Sequence, residues 1–182
     1  MLEYLVMGVV LHEAQTGYDI KKYIEAGIGS FFKASHGNLY PTLKKLSDIG
    51  YLTMSEQMQG KRLKKYYKTT KSGKTAFMEW LSSPFTQNTG DDTHFAKIFF
   101  LGELPKEERI KRLQEYEFFF KQMLRQLQAV EKQLPSDNLS DKDYFEQSTF
   151  YFSYQIVQNT VRWIKFIKEQ KPLSRFLKER DL

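Results

Sequence analysis

The chain has 182 residues, with 28 basic and 22 acidic side chains, a net charge of +6 and no cysteine, which excludes disulfides and thiolate chemistry. Hydrophobic residues make up 41% of it and aromatic residues 15%, enough for a packed core and too many for wholesale disorder. No apolar run approaches the roughly 18 residues that a membrane-spanning helix needs. The first 14 residues carry Glu3 and lack the basic leader of a signal peptide. These features predict a cytoplasmic protein.

The positive charge is unevenly distributed. Residues 1–84 hold 12 basic and 7 acidic residues, a net charge of +5, whereas residues 85–182 hold 16 and 15, a net charge of +1. Residues 61–74 alone carry seven basic side chains and no acidic one. Such a cluster indicates either a polyanionic partner or a solvated basic surface.

Three helices are predicted at the start of the chain. The first spans 2–12, and the second spans 17–27 with Thr16 as its N-cap. The third lies within GNLYPTLKKLSDIGYL, residues 37–52, and ends at Gly50. Leucines at positions 39, 43 and 46 give this helix one apolar face. The short connection before it predicts a helix-turn-helix.

A hairpin and a fourth helix are predicted next. Residues 51–57 and 66–70 have strand character, and a polar turn containing Gly60 separates them. Thr70 then caps a helix over 71–82. This order predicts a winged helix-turn-helix domain at 1–84, in a protein that is mainly α with a small β-hairpin.

The remainder of the chain is predicted to be a linker at 85–92 followed by a helical domain at 93–182. A long helix begins near Pro105, and its apolar residues repeat at alternating spacings of three and four, as in a coiled coil. After a break at 135–138, Ser140 caps a last helix over about 141–170. One apolar seam runs along each long helix; together the seams comprise Leu113, Tyr116, Phe120, Met123, Leu127, Val130, Leu134, Phe150, Tyr154, Val157, Val161 and Ile164.

The last helix carries a second apolar stripe. Its members are Phe145, Phe152, Ile156, Trp163 and Ile167. A helix that is apolar on two sides needs more cover than one antiparallel neighbour provides. We therefore predict a homodimer assembled through the C-terminal half; a self-contained helical hairpin is the alternative.

The third helix is the candidate recognition helix, because a helix-turn-helix presents the N-terminal end of this helix to the major groove. The candidate DNA-binding residues here are Ser35, His36, Asn38, Tyr40, Pro41 and Lys44. Asn38 can bond adenine through two hydrogen bonds, and Tyr40 can donate to a phosphate. The alternative is that residues 35–39 form a turn and that the helix starts at Tyr40, with Pro41 in its first turn.

The hairpin supplies the second candidate contact. Lys61, Arg62, Lys64 and Lys65 lie at or near its tip, where they can follow the phosphate backbone. Such contacts provide affinity and salt dependence but little sequence preference.

The sequence gives little support for catalysis or metal binding. The three histidines, His12, His36 and His94, have neither metal-ligand nor dyad spacing, and the chain has no Gly-rich phosphate loop. We predict no catalytic residue, metal or cofactor. Several C-terminal aromatics could line a ligand pocket, although such residues at helical spacing are more often core: Phe95, Phe99, Phe100, Phe118, Phe119, Phe120, Tyr151 and Trp163.

Three segments resemble the PadR family of bacterial transcriptional regulators: TGYDIKKYIE, GNLYPTLKKLSDIGYL and GKRLKKYYKTTKSG. They occur in the family's order and cover about residues 4–82. The resemblance implies a dimeric repressor at an inverted-repeat operator, with DNA contacts from Ser35 to Lys44 and from Lys61 to Lys65. It also implies that Tyr18 is mainly a packing residue. Family members respond variously to phenolic acids or to planar hydrophobic compounds, and some have no known effector. No pocket residue here matches a motif specific enough to assign one of these ligands to this chain.

The sequence therefore predicts a homodimeric, sequence-specific DNA-binding repressor. One form of this hypothesis adds a small aromatic or hydrophobic effector that relieves the repression. Two alternatives stay open. The winged helix could be a protein-docking module, or the aromatic C-terminal half could bind a hydrophobic ligand without any role in DNA binding.

Overall fold

The computed structural model describes residues 1–29, 36–85, 91–135 and 139–176. Contacts divide the chain into two units, Met1–Arg109 and Ile110–Leu182. In chain order the elements are α1 (Leu2–Val9), β1 (Gln15–Thr16), α2 (Gly17–Ile28), α3 (His36–Asp48), β2 (Leu52–Gln59), β3 (Arg62–Thr69), α4 (Lys71–Ser82), α5 (Asp91–Phe99), α6 (Lys106–Glu131) and α7 (Asp141–Lys168).

The core of the first unit joins the inner faces of α1 to α4. Apolar residues at helical spacing supply it, and each of the following is at most 1% exposed: Leu5, Val6, Ile20, Ile24, Leu39, Leu43, Leu46, Phe77 and Leu81. Removing this surface from water is the main force that holds the short helices together. The predicted winged helix is confirmed: three helices, a hairpin and a fourth helix occur in the expected order.

Side-chain caps and one glycine fix the helix ends. Thr16 Oγ1 accepts the Asp19 N–H at 3.2 Å, and Thr70 Oγ1 accepts the Gly73 N–H at 3.1 Å, both as predicted. Gly50 has φ +75°, and the Tyr51 N–H donates to Leu46 O at 2.8 Å, which closes α3 in a Schellman motif.

The first helix is shorter than predicted. It ends at Val9, whereas the sequence predicted residue 12. The chain leaves the helix because its backbone is needed by the sheet: Val10 O accepts the Thr69 N–H at 3.1 Å, and Gln15 in β1 pairs with Tyr67.

The sheet has three antiparallel strands in the order β1-β3-β2. The predicted hairpin is present, but its strands are longer than expected. They extend until Gln59 pairs with Arg62, so that only Gly60 and Lys61 remain as the turn, with Gly60 at φ +63°.

The helix α5 belongs to the first unit. The Phe99 ring lies edge-on to Tyr23 of α2 at 5.9 Å, and Phe100 lies edge-on to Phe77 of α4 at 5.3 Å. The division by contacts therefore falls after Arg109 rather than at the predicted linker, residues 85–92. Residues 86–90 of that linker lie outside the described residues. The functional division into 1–84 and 93–182 stays a prediction.

The described residues of the second unit form α6 from Ile110 onward, α7 and a 3₁₀ turn at Leu173–Arg175. Ser140 Oγ accepts the Asp143 N–H at 3.2 Å and caps α7 as predicted. The helix α6 ends at Glu131, so Leu134, the last residue of its predicted seam, lies beyond it. Most of the predicted break between the helices, residues 136–138, is outside the described part of the chain.

Candidate nucleic-acid interface

The helix α3 presents a polar face to solvent. Asn38, Tyr40, Pro41 and Lys44 are exposed, while its leucines face the core. The helix begins at His36, so the alternative in which it starts at Tyr40 is wrong. The side chain of His36 and the whole of Ser35, both predicted contacts, lie outside the described residues.

Pro41 lies inside α3 and not in its first turn. A proline has no N–H to donate to the carbonyl four residues back, so the regular hydrogen bond to Gly37 O cannot form. The next side chain contributes a local bond instead, because Thr42 Oγ1 donates to Asn38 O at 2.7 Å. The N-terminal end of α3 is thus less tightly bonded than the rest of the helix.

The close approach of α2 and α3 depends on Gly17. A Cβ at this position would lie 3.0 Å from Tyr40 Cε1 and 3.2 Å from Leu43 Cδ1. Tyr40 also lies near Tyr67 of β3: burial raises the pKa of Tyr67, and the nearby Tyr40 raises it further. The Tyr40 ring is therefore positioned beside both α2 and the sheet, with 47% of the residue exposed.

Tyr18 corrects an expectation. The family resemblance implied a packing residue, but Tyr18 is 64% exposed. The inner face of α2 is formed by Gly17, Ile20 and Ile24, and Tyr18 lies about 100° around the helix from Gly17. The exposed tyrosine was missed because the Gly-Tyr pair was treated as one packing motif.

The basic residues of the hairpin fall on two faces. Side chains alternate along a strand, so Arg62, Lys64 and Lys68 share one face of β3 and Lys65 lies on the other. On the second face Lys65 Nζ is 3.9 Å from Glu56 Oε1 of the paired strand. The predicted cluster is therefore not one surface, and Lys65 is the member with a carboxylate partner.

Two ion pairs involve the lysines of α3. Lys44 Nζ is 2.7 Å from Asp48 Oδ2 in the same helix. Lys45 Nζ is 2.7 Å from Glu3 Oε1 of α1, and this hydrogen bond lowers the pKa of Glu3 and raises the pKa of Lys45. The second pair links the candidate recognition helix to the first helix.

The predicted dimerisation residues lie in different environments. Leu113, Tyr116, Phe120, Val157 and Ile164 are buried within the single chain. Val130 is 45% exposed. The remaining six are half-buried: Met123, Leu127, Leu134, Phe150, Tyr154 and Val161.

Three of the five residues in the second stripe of α7 are exposed, whereas Trp163 and Ile167 are half-buried. Phe145 and Phe152 are each 68% exposed, and Ile156 is 50% exposed. On α6, Phe118 is 64% exposed while Phe120 is buried. Of the eight aromatics that the sequence left between core and pocket, Phe118 and Tyr151 are thus surface residues.

His12 and His94 each contact a neighbouring side chain. His12 Nε2 lies 2.9 Å from Glu103 Oε2, and His94 is buried beside the ring of Phe85. Within the described ranges no group of three potential ligands is arranged to hold a metal ion. None of the helices described is both long enough and apolar enough to cross a membrane.

A helix-turn-helix with an exposed polar helix face, followed by a basic hairpin, defines the winged-helix class of nucleic-acid-binding proteins. Residues 6–79 match the model of the transcriptional regulator PadR-like family, so this segment is similar to that family.

The chain is 35% identical, over 111 residues, to the negative transcriptional regulator PadR of Bacillus subtilis (strain 168). The match covers 59% of this chain and 60% of that relative. Crystal structures of Bacillus subtilis PadR are also similar. The complex with operator DNA is 29% identical with a TM-score of 0.46, covering 93% of this chain and 98% of that one. The complex with p-coumaric acid is 28% identical with a TM-score of 0.42, covering 93% and 97%.

Proposed function

We propose that the chain is a homodimeric, sequence-specific DNA-binding transcriptional repressor that acts in the cytoplasm at an inverted-repeat operator and has no catalytic role. The observation that carries the proposal is the pairing of two surfaces in one unit: the exposed polar end of α3 and the basic face of β3. The identity to a negative transcriptional regulator supports the repressor role.

The end of α3 would read the bases. Asn38 is exposed in the first turns of the helix, where its amide can form two hydrogen bonds with an adenine in the major groove. Tyr40 would donate to a phosphate, and Ser35, His36 and Pro41 would shape the contact. Lys44 would contribute less, because Asp48 already pairs with it.

The hairpin would hold the DNA backbone through one face. Arg62 and Lys64 share this face with Lys68, and the strand β2 places Gln57 and Gln59 opposite them rather than a carboxylate. Lys61 in the turn extends the positive charge to the tip. Lys65 would contribute less than Lys64, because Glu56 neutralises part of its charge.

The C-terminal helices would form the dimer. The exposed stripe of α7, centred on Phe145, Phe152 and Ile156, is a surface that a second copy would remove from water. The half-buried seam residues would extend the same contact. The two recognition helices would then enter major grooves about 34–36 Å apart. Relief of repression by a small aromatic or hydrophobic effector stays a prediction for this chain.

Titration against DNA tests the proposal. The purified protein is measured against its own upstream intergenic DNA and a scrambled duplex, at two salt concentrations, together with its molar mass in solution. We expect a dimer that prefers its upstream region and binds more weakly in high salt. Equal binding to both duplexes would refute sequence-specific action at this site. No binding even at low salt would favour the docking-module or ligand-binding alternative.

Three variants separate the proposed roles. Asn38→Ala should reduce the preference for the operator, by about 1–3 kcal/mol, and leave binding to scrambled DNA nearly unchanged. Lys64→Ala should weaken binding to both duplexes and reduce the salt slope by about 1. Lys65→Ala is the matched control, because it removes the same charge one residue along the strand, on the other face. We expect a smaller loss of DNA binding than for Lys64→Ala. Equal losses for Lys64→Ala and Lys65→Ala would contradict the assignment of one DNA-facing side.

A further inference from the structure

The outer part of the hairpin formed by β2 and β3 projects from the first unit as a two-stranded ribbon. The third strand, β1, pairs with β3 only at Tyr66 and Tyr67. Four residue pairs lie between that point and the turn, and both members of each pair are exposed. At about 3.3 Å per residue, these pairs span about 13 Å. The tip can therefore reach into a groove that is too narrow for the rest of the unit.

Two large apolar side chains face each other near the tip of this ribbon. Met58 and Leu63 are paired across the strands, one step back from the pair next to the turn. Side chains opposed in this way have Cβ atoms about 4.5–5.5 Å apart, so the two form one apolar pair. Met58 is 65% exposed and Leu63 is 58% exposed. The first unit thus leaves the apolar pair in water, and a bound partner would remove it from water.

The charge around the apolar pair indicates which kind of partner fits. Lys61 lies in the turn, and Arg62 and Lys64 lie on the opposite face of the ribbon. Behind the apolar pair, Lys65 lies 3.9 Å from Glu56, which is the only acidic residue in β2 and β3. The tip is therefore apolar in one spot and positive around it. A polyanion with an apolar interior complements such a tip better than a neutral protein surface does.

We propose that Met58 and Leu63 form a wedge that enters the minor groove of the operator and opens a base step, so that the DNA bends. This inference rests on the proposed DNA-binding function. The minor groove of B-DNA is about 6 Å wide, and two paired strands are about 4.8 Å apart before their side chains are counted. The ribbon therefore fits only a widened groove. Apolar side chains that part a base step kink the duplex toward the major groove and so open the minor groove.

The wedge adds a second source of sequence preference. Pyrimidine–purine steps such as TA and CA unstack most easily, so the free energy of bending depends on the step that the wedge meets. Lys61, Arg62 and Lys64 would hold the phosphates on either side of the opened step. Asn38 would read base edges, whereas the apolar pair would select deformable DNA without any hydrogen bond to a base.

DNA bending in the bound complex tests the wedge. The full-length protein is bound to a duplex from its own upstream intergenic region that carries donor and acceptor dyes at its ends. Energy transfer reports the bend, and permanganate reactivity of thymines reports unstacked steps. We expect a bend of roughly 20–90° and a hyper-reactive thymine in the complex. Preferential binding of this duplex without any bend would overturn the wedge and leave the DNA-binding proposal standing. A complete lack of DNA binding would overturn both.

A double substitution assigns the bend to the apolar pair. Met58→Gln combined with Leu63→Thr replaces both apolar side chains with polar ones, and an unchanged urea midpoint would show that the protein still folds. We expect the double variant to lose the bend and the hyper-reactive thymine. Its affinity for the upstream duplex should fall about ten-fold, because it no longer gains the contacts that the bend permits. Binding to scrambled DNA should be nearly unchanged.

Met54→Gln is the matched control. Met54 is an exposed methionine on the same face, but it pairs with Tyr67 at the base of the hairpin, where β1 adds a third strand. This variant should bend DNA as the wild type does. A double variant that bends the duplex to the wild-type angle would overturn the wedge. If that variant also placed fewer copies on each duplex, the apolar pair would be a contact between copies of the chain instead.

Discussion

A methyl group added at each of three glycines in the first unit would meet different surroundings. A Cβ on Gly8 would lie 2.6 Å from Phe100 Cζ and 2.8 Å from Phe77 Cε2, and both rings are buried. A Cβ on Gly17 would meet Tyr40 at 3.0 Å, and that ring is partly exposed. A Cβ on Gly102 meets nothing within 4 Å. The three sites therefore separate overpacking of the core from displacement of a surface residue.

Gly17→Ala should impair DNA binding more than it impairs folding. Tyr40 can swing outward, but the buried Leu43 side chain, whose Cδ1 would lie 3.2 Å from the new Cβ, must also shift slightly. The alanine gains about 0.4–1 kcal/mol through the unfolded state, which offsets this shift, so the free energy of unfolding should change by less than about 1 kcal/mol. The displaced Tyr40 would lose its proposed phosphate contact. Urea unfolding and operator titration measure the two effects. Gly102→Ala should change neither, whereas Gly8→Ala should cost about 1–3 kcal/mol of stability. Unchanged operator affinity in Gly17→Ala would show that the position of Tyr40 is not critical.

The ion pair between Glu3 and Lys45 makes a pH-dependent contribution. The hydrogen bond from Lys45 lowers the pKa of Glu3 below 4.5, so the stabilisation is present above that value and is lost as the pH falls through the folded-state pKa. The raised pKa of Lys45 means that it is also lost as the pH rises through the folded-state value, above 10.5. The pair therefore acts between these limits.

Glu3→Gln should lower the urea midpoint slightly at pH 7 and should approach the wild type as the pH falls below the folded-state pKa of Glu3, where Glu3 is protonated in both states. The effect is small because Lys45 is well exposed. Glu25→Gln is the control, because it removes an ion pair within one helix: its partner Lys21 lies in the same helix, at 3.4 Å. The pair of Glu3 and Lys45, in contrast, links two helices. A difference between Glu3→Gln and wild type that persists at the acid end would mean that Glu3 acts through packing rather than charge.

At the scale of elements, the sequence predicted the helices better than the sheet. The spacing of Leu39, Leu43 and Leu46 was sufficient to predict α3, and Thr16 and Gly50 marked two helix ends. The strand β1 has two residues, too few to show any alternation. The two faces of the hairpin were missed because a longer turn was expected, whereas the observed turn ends at Lys61 and places Lys64 and Lys65 on a strand.

We expect Pro41 to lower the stability of α3 and to shape the helix end that is proposed to contact DNA. Pro41→Ala restores an N–H that can bond Gly37 O, so α3 should become more stable by about 1–2 kcal/mol, less than the full interior cost of proline because the site is near the helix start. Operator affinity should fall, since the restored hydrogen bond would change the position of the helix end that carries Asn38 and Tyr40. Denaturant unfolding measures the expected gain in stability, and operator titration measures the expected loss of affinity.

Ser47→Ala is the comparison for Pro41→Ala. Ser47 lies in the same helix, far from its N-terminal end, and its Oγ donates to Leu43 O at 2.9 Å. Alanine there should raise helix stability slightly and leave operator affinity unchanged. A Pro41→Ala protein that binds its operator as tightly as the wild type would mean that the proline has no role in shaping the interface.

For the whole molecule, the apolar residues of α7 fall into two groups. Val157 and Ile164 are buried within one chain, but Phe145 and Phe152 are 68% exposed. The sequence predicted that a helix apolar on two sides needs a second chain, with the seam residues as the contacts. It could not show that several seam residues are covered by their own chain, because spacing alone assigns a residue to a face and not to a neighbour.

The exposed stripe should therefore control dimerisation more strongly than the seam. Phe152→Lys would place a charge where the dimer removes apolar surface from water, and should raise the dimer dissociation constant about 100-fold or more. Operator affinity should fall with it, because a monomer offers one recognition helix instead of two. Ser153→Lys adds the same charge about 100° around the helix and should leave the dimer intact. Sedimentation velocity at several concentrations measures both variants. If Phe152→Lys stays dimeric while Leu127→Lys dissociates, the interface is the seam of α6 and not the stripe of α7.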